Sequence, residues 1–270
     1  MLPARIAELL EPFLTSANSQ RLTPNVLQNI STYIDILQRW NARVNLTAIR
    51  DSEEIVTRHF GESLFAARHL FPACVGADAS SAPAEQSSAA ATSDVGRATT
   101  HLHERVDNRG RAALPGPRHG EQEMGALAPE VADIGSGAGF PGIPIKLWAP
   151  HIHLTLIESN HKKATFLKEV TRALTLTDVN IQTARAESLA PATFATVTLR
   201  AVERFESILP VAARLVTPGG RLALLIGDAQ LSRATSTLPT FAWSPPHALP
   251  SALSRVLLIG RRSQTNVPIM

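Results

Sequence analysis

Cysteine is almost absent from this chain of 270 residues, whose single cysteine is Cys74. One cysteine excludes an internal disulfide, a cysteine-rich zinc site and a CxxC redox pair. Long apolar runs are absent too: the longest, 222–226 and 256–259, fall far short of the roughly eighteen residues of a transmembrane helix. Glu8 and Glu11 interrupt the N-terminal apolar stretch, which therefore does not resemble a signal peptide. We expect a soluble, cytoplasmic protein that does not bind a membrane.

Large apolar residues are scarce between residues 73 and 128. These 56 residues lack Ile, Phe, Trp, Tyr and Lys, and they include 13 Ala. Such a segment cannot bury enough surface to offset the entropy lost when a chain becomes ordered. We therefore predict a low-complexity, disordered insertion at 73–128. It separates a helical cap, residues 1–72, from a core, residues 129–270.

The net charge of +3 is unevenly distributed along the chain. It sums to 0 over residues 1–72, −2 over 73–128 and +5 over 129–270. Clustered positive charge is the usual footprint of a polyanionic partner such as nucleic acid. A solvated basic face explains the same excess equally well, so charge alone leaves both interpretations open.

Helical periodicity dominates residues 1–72. Ile6, Leu10 and Phe13 recur at helical spacing, and Thr23 before Pro24 has the pattern of an N-cap followed by proline in the first turn. That proline opens an apolar stripe that continues to about residue 40. Asp51, three residues before a glutamate, resembles a capping box and predicts a third helix.

After residue 128 the pattern changes to alternating strands and helices. We predict strands at 131–134, 152–157, 179–183, 194–199, 222–226 and 255–259, with helices at 162–174 and 208–216. Strand–helix alternation with short glycine turns favours an α/β fold, a doubly wound sheet with helices on both faces.

A glycine-rich turn follows the first predicted strand, in the stretch Asp133-Ile-Gly-Ser-Gly-Ala-Gly-Phe-Pro-Gly142. Glycine is needed where the backbone takes a positive φ or must touch a ligand. Read as GxGxxG, the stretch indicates a dinucleotide site and an NAD(P) oxidoreductase. Read as DIGxGxG, it is typical of class I S-adenosylmethionine (SAM) methyltransferases. Pro141 and Pro144 favour SAM, because a pyrophosphate would use free helix N–H groups at this point.

Three other positions support a nucleoside cofactor. Glu158 ends the second predicted strand, 23 residues after Gly135, where a carboxylate can accept both ribose hydroxyls of NAD or SAM. Glu187 follows the third strand, and a Pro-Gly-Gly turn at 218–220 precedes the fifth. The paired histidines at 101/103 and 151/153 lack an HExxH pattern, so we predict no metal site.

These residues together resemble the bacterial ribosomal RNA small subunit methyltransferase G family, also called glucose-inhibited division protein B. The matching stretches, in chain order, are Trp40-Asn41, Asn45-Leu-Thr-Ala-Ile-Arg-Asp51, Arg58-His-Phe60, Asp133 to Pro144, Leu156-Ile-Glu-Ser159, Lys162-Lys163, Arg185-Ala-Glu187 and Arg200-Ala201. Two features are specific to this family: the continuation Gly139-Phe-Pro-Gly-Ile-Pro144, and the upstream combination of Asn45-Leu-Thr47 with Arg58-His59.

The resemblance implies transfer of the SAM methyl group to N7 of a guanine in 16S rRNA, at position 527 of the decoding-region loop. By resemblance, Gly135 and Phe140 would contact the cofactor at the glycine turn, and Ala186 and Glu187 would border its adenosine. Arg200 would lie at the end of the fourth strand, in the cofactor or substrate pocket. Glu62 departs from the family, which usually has Asp there, and the 73–128 insertion is a second departure. The partner would be 16S rRNA or the small ribosomal subunit, with the enzyme acting as a monomer.

No catalytic side chain is predicted for this reaction. Guanine N7 has a lone pair and no proton, so no base must act on it, and orientation can contribute up to roughly 7–11 kcal/mol. Positively charged or titratable side chains that could hold RNA phosphates are Arg43, Arg50, Arg58, His59, Lys162 and Lys163. For each of them, a solvated surface position explains the sequence equally well. A non-catalytic RNA-binding protein with a retained cofactor fold remains an alternative.

Overall fold

The N-terminal helices match the predicted pattern. The structure, a computed structural model, describes residues 1–14, 22–72, 128–200 and 205–264. Helix α1 is Pro3–Leu14, α2 is Pro24–Asn41, α3 is Ser52–Glu54 and α4 is Glu62–Leu70. The predicted insertion lies outside the described residues, apart from Ala128.

Two side-chain caps begin these helices where the sequence predicts them. The Thr23 hydroxyl accepts a hydrogen bond from Val26 N at 3.3 Å, and the Asp51 carboxylate accepts one from Glu54 N at 2.8 Å. Each satisfies a backbone donor that the first turn of a helix leaves free. Both caps are confirmed.

The predicted third helix is not a uniform α-helix. A π-helical segment, Ile55–Gly61, joins α3 to α4 and includes the consecutive buried residues His59, Phe60 and Gly61. A π segment uses wider i→i+5 hydrogen bonds and often occurs at functional sites. Gly61 is required here, because a Cβ would lie 2.6 Å from the Phe13 ring of α1.

The rest of the described chain contains eight strands and four further helices. The strands are β1 Glu130–Ile134, β2 His153–Ile157, β3 Val179–Gln182, β4 Phe194–Arg200, β5 Val216–Gly227, β6 Phe241–Trp243, β7 His247–Ala248 and β8 Arg255–Arg262. The helices are α5 Gly142–Trp148, α6 His161–Ala173, α7 Phe205–Leu215 and α8 Leu231–Thr237. The six predicted strands and two predicted helices are all present, with ends shifted by a few residues.

The described strands form one sheet in the order β3-β2-β1-β4-β5-β8-β6, with β7 also paired to β8. Strands β1 to β5 are parallel, whereas β8 is antiparallel to β5. The fifth strand begins earlier than predicted, at Val216, because the Pro-Gly-Gly turn is absorbed into β5 beside a register shift against β4. The predicted α/β doubly wound fold is confirmed, with an antiparallel edge added.

Each face of the sheet has its own apolar layer. Val131, Leu154 and Leu156 face a layer formed by α1, α2, α4, α5 and α6. Ala132, Val197 and Leu199 face the other layer, which α7 and α8 cover. The alternation along each strand follows from the two-residue repeat of β structure. The N-terminal helices therefore share one core layer with α5 and α6, which places them beside the turn after β1.

Among the described residues, no helix combines the length and the hydropathy needed to cross a membrane.

Candidate functional site

Three predicted site residues meet where the central strands end. Ile134, the last residue of β1, pairs with Ile157 on β2 and Leu199 on β4. The residues that follow these positions, Gly135, Glu158 and Arg200, therefore lie side by side at the carboxyl edge of the sheet. This edge includes the point between β1 and β4 where strand order reverses, the usual ligand crevice of open α/β sheets.

The turn after β1 presents main chain at this edge. Gly135 and Gly137 have φ values of 67° and 56°, and Gly135 is exposed. Gly139, with φ of 84°, is enclosed: a Cβ there would collide with the Tyr33 hydroxyl and with Ile143. The first two glycines thus provide open backbone, and the third permits close packing against α2.

The buried carboxylate of Asp133 accepts hydrogen bonds that hold the glycine turn in place. Asp133 Oδ2 accepts a hydrogen bond from Gly142 N at 3.1 Å, and Oδ1 accepts one from the Thr198 hydroxyl at 2.9 Å. Asp133 is 0% exposed, and this burial raises its pKa to about 7. The hydrogen bonds from Thr198 and Gly142 stabilise the ionised carboxylate and therefore oppose the rise. Asp133 therefore links both ends of the turn to β1 and β4.

Glu158 joins the turn after β1 to the start of α6. One carboxylate oxygen accepts a hydrogen bond from Gly137 N at 2.9 Å, and the other accepts one from Asn160 N at 2.7 Å. Each oxygen retains a further lone pair. The side chain thus stands beside open glycine backbone with acceptor capacity left for a pair of ligand hydroxyls.

Phe140 lies in a stack of rings rather than at the open edge. Its ring is parallel to Tyr33, with centroids 5.3 Å apart, and to His59, at 4.7 Å. Phe60 meets it edge-on at 5.1 Å. Tyr33 also donates a hydrogen bond to the Ala138 carbonyl. The stack packs the glycine turn against α2 and the π segment.

Glu62 bridges two arginines from distant strands. Its Oε2 lies 3.2 Å from Arg200 Nη2 at the end of β4, and its Oε1 lies 2.6 Å from Arg255 Nη2 on β8. Glu62 is only 2% exposed. Burial lowers the pKa of Arg200, and the Glu62 carboxylate opposes that shift. Glu62 thus compensates the largely buried charge of Arg200 and the partly exposed charge of Arg255 beside the site.

Arg200 is also bound to the π segment. It donates to His59 Nδ1 at 2.8 Å and to the Arg58 carbonyl at 2.6 Å. Together with the bond to Glu62, these bonds use three of the five guanidinium N–H donors. The geometry holds Arg200 toward the N-terminal helices and leaves two donors for other partners.

The contact with Arg200 also defines the state of His59. Arginine can only donate, so Nδ1 is unprotonated and Nε2 donates to the Thr47 hydroxyl at 2.8 Å. Burial and the nearby charges of Arg200, Arg58 and Arg255 lower the pKa of His59 to about 3. His59 is therefore neutral and buried. The prediction that it holds an RNA phosphate is wrong, because the ring carries no charge and both nitrogens are engaged within the protein.

Comparison with known proteins identifies the family. The family described as "rRNA small subunit methyltransferase G" matches residues 26–74 and 121–241. A relative named "Ribosomal RNA small subunit methyltransferase G" from Stenotrophomonas maltophilia is 32% identical over 228 residues, 84% of this chain and 79% of that protein. The chain belongs to the rRNA small subunit methyltransferase G family. The predicted membership is confirmed.

A second relative and a solved structure are also similar to this chain. A relative of the same name from Roseiflexus castenholzii is 32% identical over 214 residues, 77% of this chain and 68% of that protein. A solved structure, TYW2 from M. jannaschii in complex with AdoMet, has a TM-score of 0.45 at 14% identity, covering 52% of this chain and 70% of that one. The family match and the two relatives support the predicted class I methyltransferase fold.

The remaining predicted cofactor residues follow β3. Ala186 is buried and Glu187 is exposed, in a short 3-10 turn, Ala186–Ser188. Arg214 of α7 donates to the Glu187 carbonyl at 3.0 Å and so supports the turn. Because β3 borders β2, this turn lies at the same carboxyl edge as Glu158. The structure thus brings five of the six predicted cofactor residues to one edge of four adjacent strands, whereas the ring of the sixth, Phe140, is buried in the aromatic stack.

The predicted phosphate-binding cations differ in availability. Arg58 is paired with Glu54 at 2.8 Å, and Arg50 donates to the Asn41 carbonyl at 3.0 Å. Arg43, Lys162 and Lys163 make no such side-chain bonds to other described residues.

Sequence reasoning missed several supporting residues. Thr198 and Arg255 reach the site from strands predicted only as apolar segments, and Tyr33 was assigned to the apolar stripe of α2. Asn41 is an exception, because it belongs to a matching family stretch. Its Oδ1 accepts from Leu46 N and Thr47 N, at 2.9 and 3.1 Å, and so shapes the loop that places Thr47 against His59.

Proposed function

We propose that this chain transfers a methyl group from SAM to N7 of a guanine in 16S rRNA, the guanine at position 527 by family resemblance. The observation that supports this most directly is an open glycine turn with Glu158 bound to its Gly137 N–H, in a chain of the methyltransferase G family. The comparisons favour this activity over an NAD(P) oxidoreductase or a non-catalytic RNA-binding protein.

The residues at the carboxyl edge fit SAM. Glu158 has acceptor capacity for the ribose hydroxyls, and the open backbone at Gly135 and Gly137 permits close approach of the amino acid portion. Ala186 and Glu187 would border the adenine, and Phe140 would contribute its backbone. Arg200 would contribute the guanidinium donors that His59 and Glu62 leave free.

This reaction requires the protein to position the methyl donor and the guanine, but it does not require a proton transfer. When bound, SAM supplies a methyl group already activated by its sulfonium centre. Guanine N7 loses no proton, so no general base is required. The stacked rings of Tyr33, Phe140 and His59 and the Glu62–Arg200 bridge pack the edge against the N-terminal helices. Such packing would support in-line orientation of acceptor and donor.

The decisive experiment is methyl transfer from labelled SAM to 16S rRNA, or to small subunits, that lack this modification. We expect one labelled guanine, mapped by cleavage chemistry selective for 7-methylguanosine. Calorimetric titration with SAM and with NADH provides the parallel binding test. Normal SAM binding without product on either substrate would contradict the substrate assignment, and NADH binding alone would contradict the enzyme class.

The organisation of the chain remains a proposal alongside the activity. We propose that 1–72 caps the methyltransferase core 129–270 and that 73–128 is an insertion between them. The family match omits residues 75–120, which supports this division. Action as a cytoplasmic monomer is likewise our prediction.

A further inference from the structure

Most lysine and arginine side chains among the described residues bind a carboxylate or a carbonyl. Examples are Arg214 on the Glu187 carbonyl and Lys146 on the Pro150 carbonyl. Those with no hydrogen bond or ion pair from the side chain to another described residue are Arg39, Arg43, Lys162, Lys163, Lys168, Arg172 and Arg185. Apart from Arg185, all lie on α2, on the loop that follows it, or on α6. Among the described residues, the available positive charge is thus concentrated on α2, the loop that follows it and α6.

These two helices pack side by side. The Trp40 ring of α2 lies 5.8 Å from the Phe166 ring of α6, and its indole N–H donates to Glu169 at 2.9 Å. A groove of about 480 Å³ opens at this junction, and it is lined by Arg39, Trp40, Ala42, Arg43, Val44 and Glu169. Two exposed guanidinium groups and a half-buried indole therefore border one groove.

Helix α6 connects this groove to the cofactor edge. Lys162, Glu169 and Arg172 are spaced seven and three residues apart, which places them on one face of the helix. That face spans about 15 Å from Lys162 to Arg172. Lys162, the first residue of that face, lies two positions after Asn160, whose backbone N–H donates a hydrogen bond to Glu158. The exposed cations thus form a stripe from the candidate cofactor site to the groove, which we call the α2–α6 face.

Negative charge on this face is limited. Glu169 is engaged by the Trp40 indole and is flanked by Arg39 and Arg43 in the groove. Asp35 of α2 is exposed and lies 4.0 Å from the N-terminal amino group. The unpartnered cations outnumber these acids, so the charge of the face is complementary to a phosphate backbone.

We propose that the α2–α6 face binds the phosphate backbone of the RNA substrate next to the methylated guanine, with Arg39, Arg43, Lys162 and Arg172 as the contacts. The inference rests on the proposed rRNA methyltransferase function and adds the surface on which the RNA lies. Phosphate contacts fix position and register rather than sequence. The face therefore aligns the RNA so that its target base reaches the carboxyl edge.

The test compares a variant with all four substitutions, Arg39→Gln, Arg43→Gln, Lys162→Gln and Arg172→Gln, with the parent protein. The matched control is Arg261→Gln, because Arg261 is exposed on β8 and opposes Arg221 near the amino end of β5, away from the cofactor edge. Filter binding of deproteinised 16S rRNA and of small subunits is measured over a range of KCl concentrations. SAM affinity is measured by calorimetry.

We expect rRNA binding by the fourfold variant to weaken at least about tenfold near 0.1 M salt. The slope of log affinity against log salt should decrease by about 0.7 for each cation removed. SAM affinity should stay within about twofold of the parent, which excludes misfolding as the cause. Affinity and slope equal to those of Arg261→Gln would overturn the proposal. Weaker binding to subunits alone would also overturn it, in favour of a protein contact.

This experiment separates the two proposals. Binding is measured without turnover, so a parent protein that binds rRNA through this face but transfers no methyl group would contradict only the proposed function. Full methyl transfer by the fourfold variant at unchanged KM for RNA would contradict only the binding face.

Discussion

Most charged side chains at the carboxyl edge of the sheet are largely buried and hydrogen-bonded within the protein, whereas the cations that we assign to the α2–α6 face are exposed and unpartnered. At the edge, Glu62 lies between Arg200 and Arg255, and Glu158 binds two backbone N–H groups. On the α2–α6 face, Arg39 and Arg43 border an open groove. Both regions are rich in charge, but only the second has charge available for a polyanion.

The difference follows from solvation. A buried charge is costly unless it is paired and hydrogen-bonded, so the edge must satisfy its own charges before any ligand arrives. An exposed cation has no such cost and exchanges water and counterions for a phosphate. We therefore expect substitutions at the edge to affect stability and cofactor binding, and substitutions on the face to affect RNA affinity and its salt dependence.

The largest expected effect is on stability, from Glu62→Gln. The amide leaves the largely buried Arg200 and the partly exposed Arg255 without a counter-charge, which should lower the free energy of unfolding by about 3–5 kcal/mol. Urea unfolding followed by circular dichroism measures the change.

A matched control for Glu62→Gln is Glu206→Gln. Glu206 also pairs with an arginine, Arg233, but the two side chains are 64% and 61% exposed. Loss of an exposed pair should cost only about 0–1 kcal/mol. Equal losses from the two variants would contradict the distinction between buried and exposed charge on which the comparison depends.

A smaller effect is expected from Glu158→Gln, on SAM affinity. The amide loses the charge that strengthens the bonds to Gly137 N, Asn160 N and the ribose, and hydrogen bonds to charged groups contribute about 1.5–3 kcal/mol. SAM binding should weaken by about 10- to 100-fold in calorimetric titration. Glu130→Gln, at the opposite end of β1, should leave SAM affinity unchanged; a similar loss there would indicate a general effect on the sheet.

The strands and the positions of several site residues could be predicted from the sequence, but the partner of each charged side chain could not. Periodicity and the glycine turn predicted the strands, the caps and the carboxyl-edge position of Gly135 and Glu158, because these depend on local pattern. Arg200 and Glu62 are 138 residues apart in the chain. Their pairing depends on how the π segment packs against β4 and β8, which no local pattern encodes.

The same limit explains the error at His59. His59 follows Arg58 in the sequence, and two consecutive basic residues are typical of an exposed surface. The π segment turns Arg58 outward to Glu54 and His59 inward to Phe140 and Arg200. Adjacent residues on a helix point in different directions, so one of a basic pair is exposed while the other is buried. Which of the two residues is buried depends on the elements that pack against the helix.

A further prediction concerns pH and Asp133. Because burial raises its pKa from 3.8 to about 7, the folded state holds a proton that the unfolded state releases. The contribution of Asp133 to stability is therefore complete below pH 4 and decreases as the pH rises from about 4 to about 7. Asp133→Asn cannot ionise, so its free energy of unfolding should decline less over this range than that of the parent.

Urea unfolding at several pH values measures this dependence. The amide can accept from Gly142 N and donate to the Thr198 hydroxyl, which can itself donate to the Ala132 carbonyl 3.2 Å away. The asparagine variant should therefore fold. Parallel pH profiles for parent and variant would show that folding does not raise the pKa of Asp133, and would contradict this prediction.

The smallest effect is expected from deletion of residues 75–127 with a short bridging linker. This segment contains five arginines and seven acids, so its removal takes no net positive charge from the protein. SAM affinity should stay within about twofold of the parent, because long insertions add little to the cost of closing a loop. The salt dependence of rRNA binding should also be unchanged, since the cations that we assign to RNA lie on α2, on α6 and between them. A reduced slope would place part of the RNA-binding charge on the five deleted arginines and would weaken the contrast between edge and face.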